Sequence, residues 1–317
     1  MKRILALGVF GIVFASAVAA SAQDNQNFSA QTFQVAPGYG SFLTVEGSEV
    51  PPGLGGGVGG LLGYQYKPVV LRGCDDANGS TSCTDFNDND YALVKHMLTF
   101  DLYGSLSLYR VFELGVVVPA VLYQTGEDGP AGSGAESPSG KVGLGDVRAH
   151  VKWDLLHTFG YAGDKVGLAL VPVVTFPVGN AISSDSYMGD SSFTVQPKIA
   201  LGFNFSRARL GLNVGYLWRE SKNVAMAEMG PRLTYGAAVE ILFTDRVSGL
   251  VELFGQNGFS SDVTESPLEG DIAARIKTEN GIAVTIGGGA GIIGGVGTPM
   301  VRAFAGLAWM KPAESDK

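Results

Sequence analysis

The chain has 317 residues and a mass of 33.0 kDa, with 45% hydrophobic residues, only 16% charged residues and 46 glycines. Soluble globular domains carry about 25% charged residues and about 7% glycine, so this is not an ordinary cytosolic domain, and its apolar content is too high for a disordered one. A net charge of −8 with no basic run argues against nucleic acid as a partner, and past the first two dozen residues no run of about 20 apolar residues is free of glycine or charge, which argues against membrane helices.

The first element is a processing segment. Lys2 and Arg3 form a basic start, Ile4 to Val18 an apolar stretch, and Ala20-Ser21-Ala22 a small-x-small cleavage site before Gln23. Residues 1–22 therefore read as a signal peptide, and the chain as exported. Removing Lys2 and Arg3 leaves 20 basic against 30 acidic residues, a charge of −10. Residues 23–57 are expected to form a glycine-rich periplasmic segment, in which Ser41 to Glu46 either adds a strand or sits inside the next domain as a plug.

Residues 58–310 alternate like strands. From Leu98 to Leu108 the even positions are Leu98, Phe100, Leu102, Gly104, Leu106 and Leu108, and the odd ones are Thr99, Asp101, Tyr103, Ser105 and Ser107. From Val147 to Leu155, Val147, Ala149, Val151, Trp153 and Leu155 oppose Arg148, His150, Lys152 and Asp154. The same period-two pattern recurs across 193–205, 209–219 and 271–277. Twelve segments can be counted, near 58–70, 91–108, 111–123, 142–156, 165–177, 192–205, 208–219, 231–244, 246–257, 267–278, 281–291 and 299–310. The connections alternate between long polar ones and tight ones such as Tyr109-Arg110, Ser206-Arg207, Thr244-Asp245 and Glu279-Asn280. That asymmetry belongs to a transmembrane barrel with short periplasmic turns and longer outside loops. The expected fold is all-β: an antiparallel up-and-down barrel of about 12 strands, or 14 if the early segment joins, with lipid around it and both termini periplasmic. Phe193, Phe205, Trp218, Phe243 and Trp309 fall near strand ends, where interfacial aromatic girdles belong.

Three stretches carry a resemblance: Gly143-Leu144-Gly145-Asp146-Val147-Arg148 running into Lys152-Trp153, Tyr64 to Arg72, and Gly297-Thr298-Pro299 leading to Arg302-Ala303-Phe304-Ala305-Gly306-Leu307. Over roughly residues 41–310 the chain resembles the barrel portion of OmpA-family outer-membrane proteins of myxobacteria-like Gram-negative bacteria. It is also similar to the transporter group associated with the MetA pathway of phenol degradation. The OmpA-family resemblance implies a barrel followed by a linker and a peptidoglycan-binding domain. Peptidoglycan is therefore an expected partner only if such a domain follows this chain. The tail 311–317 after Trp309 departs from the usual C-terminal aromatic.

Cys74 and Cys83 enclose Asp-Asp-Ala-Asn-Gly-Ser-Thr-Ser, and in an exported chain this pair reads as a loop-closing disulfide. The same loop holds Asp75, Asp76, Asp85, Asp88 and Asp90. A calcium loop would need glycine where Asp90 stands and glutamate where His96 stands, so no metal or cofactor is expected. The inward-facing set is Asp101, Glu113, Arg148, His150, Lys152, Asp154, Lys198, Arg209, Arg219, Glu240, Glu252, Asp271, Arg275, Lys277 and Arg302. Charges of both signs in a lumen either line a watery pore or cross-link into a sealed interior. The small inward residues Gly167, Ala169 and Gly211 favour a narrow pore for small solutes. No enzyme is expected, since His150 and Asp154 lie about 13 Å apart along one row at a strand rise of roughly 3.3 Å per residue.

Overall fold

The structure, a computed structural model, describes residues 28–29, 31–71, 91–129, 136–161, 163–183, 186–224, 227–259 and 265–310. The expected signal peptide 1–22, the expected disulfide pair Cys74 and Cys83 with its acidic loop, and the tail 311–317 lie outside the described residues.

Twelve long antiparallel strands form one closed barrel. They are β1 Leu54–Leu71, β2 Tyr91–Leu108, β3 Phe112–Thr125, β4 Val147–Asp154, β5 Val166–Phe176, β6 Thr194–Asn204, β7 Ala208–Leu217, β8 Arg232–Leu242, β9 Val247–Asn257, β10 Leu268–Lys277, β11 Ile282–Ile293 and β12 Val301–Met310. Each pairs with its sequence neighbour, and β1 pairs with β12 from Gly57 opposite Met310 to Tyr66 opposite Val301, which leaves no open edge. The first strand begins at Leu54, four residues ahead of the expected 58. A short strand Gly143–Leu144 extends the β3 pairing ahead of β4, and a small hairpin pairs Lys222–Val224 with Ala227–Met229.

The alternation sorts as the pleat requires. Phe100, Leu102 and Leu106 are exposed, whereas Thr99, Asp101 and Ser107 between them are buried. Val151 is exposed between buried His150 and Lys152, and Val195 and Ile199 are exposed around buried Gln196. An apolar surface turned outward and a polar one turned inward is the inverse of a soluble fold and suits lipid outside. Phe193, Phe205, Trp218 and Phe243 are each more than 60% exposed, two of them at each end of the barrel. At one end lie the tight connections, including α1 Leu155–Thr158, and at the other the long ones, including α2 Val178–Ile182. One tight turn is Leu108–Val111, where the Val111 N–H donates to the Leu108 carbonyl and both Tyr109 and Arg110 have positive φ, 50° and 60°. Two left-handed central residues define the turn whose twist matches a two-strand ribbon.

The barrel is not hollow. Residues 31–53 form neither helix nor strand and run through the lumen. At the short-turn end, the N–H groups of Tyr109 and Arg110 donate to the carbonyls of Gly53 and Pro51. At the long-loop end, Phe28 packs edge-on against Tyr187, with ring centroids 5.1 Å apart, in a cluster with Val69, Leu93 and Met229. Ser41 to Glu46, open above between a strand and an internal position, forms no strand and lies within the lumen.

Candidate functional site in the barrel lumen

The inward side chains meet the N-terminal segment, and each meeting follows from backbone that has no ladder of its own. An irregular segment buried in a barrel carries unpaired N–H and C=O groups, which the wall must satisfy. On β9, the Glu252 carboxylate accepts the N–H groups of Leu43, Thr44 and Val45 at 2.9, 2.7 and 2.8 Å, and also the Thr44 hydroxyl. On β10, Arg275 donates to the carbonyls of Phe42 at 2.6 Å and Ser41 at 3.4 Å. On β7, Arg209 donates to the Gly40 carbonyl at 3.0 Å while pairing with Glu240, and its guanidinium lies over the Phe42 ring at 5.0 Å. Glu240 is in turn 3.6 Å from Arg275 and 3.8 Å from Lys277, the latter half-exposed at the short-turn end.

A second set lies on β3 and β4. Glu113 pairs with Lys152 at 2.8 Å and accepts the Tyr39 N–H at 2.9 Å. Glu46, carried by the segment itself, lies 3.3 Å from His150 and 3.9 Å from Lys152. Its backbone is gripped by Asn213 on β7, which accepts from the Glu46 N–H at 2.7 Å and donates to the Glu46 carbonyl at 3.1 Å. Nearer the long loops, Arg302 on β12 pairs with Glu269 on β10 and stacks 4.6 Å from the Phe33 ring. Asp101 and Asp271 are buried and keep carboxylate oxygens without a hydrogen bond. Arg219 pairs with Asp190 near the long-loop end.

Asp154 differs from the rest of the inward set. It sits at the short-turn end, where it caps α1 by accepting the His157 N–H at 3.0 Å and binds the His157 ring at 2.7 Å. Its four-residue separation from His150 therefore places the two in different clusters. Gly167, Ala169 and Gly211 do leave room, but the segment takes it. A Cβ at Gly167 would lie 2.2 Å from the Ser48 hydroxyl, and one at Gly211 2.3 Å from the Phe42 ring.

Several contributors were invisible to the polar-inside rule. Leu61, Ala238, Leu250, Phe254 and Phe304 face inward and pack on Phe33, Val35, Phe42, Leu43 and Val45 of the segment. The available signal is on β9, where Leu250-Val251 and Leu253-Phe254 are apolar on both faces, as expected of a strand covered on both sides. Asp146 stands in the break ahead of β4. It accepts the N–H groups of Gly179 at 3.0 Å and Asp190 at 2.6 Å, folding the connection after β5 over the mouth. Burial raises its carboxyl to about 7, against the pull of these two N–H groups and of Arg219.

Small cavities remain between wall and segment, two of which adjoin the inward charges. One of about 60 Å³ is lined by Thr32, Gln34, Thr44, Lys198, Asn213 and Thr234 among others. The other, of about 50 Å³, is lined by Gln31, Asp146, Arg148, Asp190, Thr194 and Arg219 among others.

A closed barrel with an apolar belt, aromatic ends and a charged interior is the architecture of outer-membrane β-barrels. An outer membrane channel from Pseudomonas putida F1 matches with a TM-score of 0.56 at 13% identity, over 83% of this chain and 97% of that one. The NanC porin matches at 0.47 and 9% identity, over 80% of this chain and 98% of its own. The Pseudomonas putida toluene transporter TodX matches at 0.43 and 8% identity, over 92% and 100%. No protein-family model and no curated protein sequence matches the chain.

Proposed function

We propose that this chain is an exported outer-membrane channel for the passive passage of small solutes, whose pore is occupied at rest by its own residues 31–53. One observation carries the reading: the ion pairs of the wall, Glu113–Lys152, Arg209–Glu240 and Glu269–Arg302, join strands that are neighbours or next but one, and the bore they leave is filled by an irregular segment. An inert scaffold has no need of a separable filling, because facing side chains of a small barrel can fill its interior themselves. On this reading the short turns and Gly53 are periplasmic and the long connections face outward, the signal peptide having delivered the chain. Lipid is the partner of the outer face, and the chain is not an enzyme. The resemblance to the OmpA-family barrel portion contributes only the barrel, and the resemblance to the phenol-pathway transporter group agrees with transport.

The second reading, a sealed structural barrel, draws on the same lumen: cavities of only about 60 and 50 Å³ beside the segment admit little more than water. Planar-bilayer recording of the refolded full chain, with heat-modifiable gel migration to establish folding, separates the two. Discrete current steps that change when Lys152 or Arg275 is neutralised support the channel. A folded barrel that stays silent, even when the segment is loosened, overturns it.

A further inference from the structure

Four basic side chains of the wall are gathered on one arc. Arg148, His150 and Lys152 lie on the inward row of β4, and Lys198 stands two strands away on β6. They converge on one group, the Glu46 carboxylate, which is 2% exposed. His150 Nδ1 approaches Glu46 Oε1 at 3.3 Å, and Lys152 Nζ approaches Oε2 at 3.9 Å. The Ser41 hydroxyl donates to the same Oε2 at 3.3 Å. Of the acids on the facing elements, Glu113 is committed to Lys152 and Asp101 lies near Arg148.

Two features point to a ligand beyond Glu46. Arg148 and Lys198 have no hydrogen bond or ion pair within contact distance among the described residues, and each lines a cavity that the segment leaves open. Both are partly buried; a cation drawn partly out of water without a direct partner is costly, and that cost is relieved by an anion placed in the adjoining space. The segment is also held at this point mainly through its backbone, by Asn213, so the Glu46 side chain can leave the cradle without undocking its own peptide unit.

We propose that Arg148, His150, Lys152 and Lys198 form a binding site for a small organic carboxylate, and that Glu46 occupies it as a tethered stand-in for that ligand. The proposal rests on the channel reading and names the class of solute that would pause in the lumen. A tethered competitor lowers the apparent affinity for a free one, so neutralising it exposes the site.

The test is calorimetric titration of the full-length barrel in detergent with succinate as the probe and choline as the cationic control. Glu46→Gln is expected to bind succinate about tenfold more tightly than the native chain. Adding Lys198→Gln removes that gain, and choline binds neither. Should Glu46→Gln not fold, Lys198→Gln alone serves: the native chain then binds succinate more tightly than this variant. A folded Glu46→Gln barrel that ignores succinate, or one whose binding is indifferent to Lys198, overturns the site. Because binding in detergent needs no current, a barrel that binds succinate but never conducts refutes the channel reading alone. One that conducts without binding refutes only the site.

Discussion

Glu252 is where a single side chain holds most of the segment's turn. Three consecutive N–H groups and a hydroxyl converge on one carboxylate that is 1% exposed, and hydrogen bonds to a charged acceptor contribute about 1.5–3 kcal/mol each. Glu252→Gln replaces one acceptor oxygen by a donor that faces those same N–H groups. It is expected to weaken docking by about 2–4 kcal/mol, seen as faster proteolysis within residues 31–53 and a larger conductance, with the barrel still heat-modifiable. Equal protease resistance in the two proteins would show that the apolar contacts of Phe33, Phe42 and Val45 hold the segment unaided.

At the scale of elements, the twelve strands were legible because each has one face in lipid and one in a polar interior, so period two survives in the sequence from Leu98 to Leu108 and from Val147 to Leu155. The inward charges were legible for the same reason. Their partners were not, because Glu252, Arg209 and Arg275 bind backbone groups of residues 40–45, and a backbone donor or acceptor leaves no mark on residue type. Leu250 and Phe254 were missed because alternation assigns every apolar side chain to lipid. The connection after β5 carries its own prediction. Asp146 titrates near 7 rather than at its ordinary 3.8, so the docked state holds a proton more tightly than the undocked one. Its contribution to docking is complete at low pH and is lost as pH climbs from about 4 to about 7, with no further change above. Limited proteolysis around Gly179 should accelerate between about pH 4 and pH 7 and level off above, and Asp146→Asn should flatten that dependence. A profile unchanged by Asp146→Asn would assign the effect to another group.

For the whole molecule, the outward surface decides between a membrane and a soluble setting. Ile272, in the middle of β10 between Val251 and Gly288, is 66% exposed. On a soluble surface Ile272→Arg would be harmless. On a lipid face at mid-depth it should cost about 2–4 kcal/mol, measurable as a shift in the urea midpoint of folding into vesicles. An unshifted midpoint would remove lipid from the account of that face.

The segment in the lumen also has an electrical character. Residues 28–53 include Glu46 and Glu49 and no lysine, arginine or histidine, so the filling of this pore is a negatively charged particle moored to the wall at Gly53. Moving one elementary charge through the full membrane potential is worth about 2.3 kcal/mol per 100 mV. A potential positive on the short-turn side should draw the particle toward its mooring and out of the bore, and the opposite polarity should seat it. Current through the barrel is therefore expected to rectify, and Glu46→Gln with Glu49→Gln to abolish the rectification. Symmetric currents in the native chain would mean that the segment does not travel along the field.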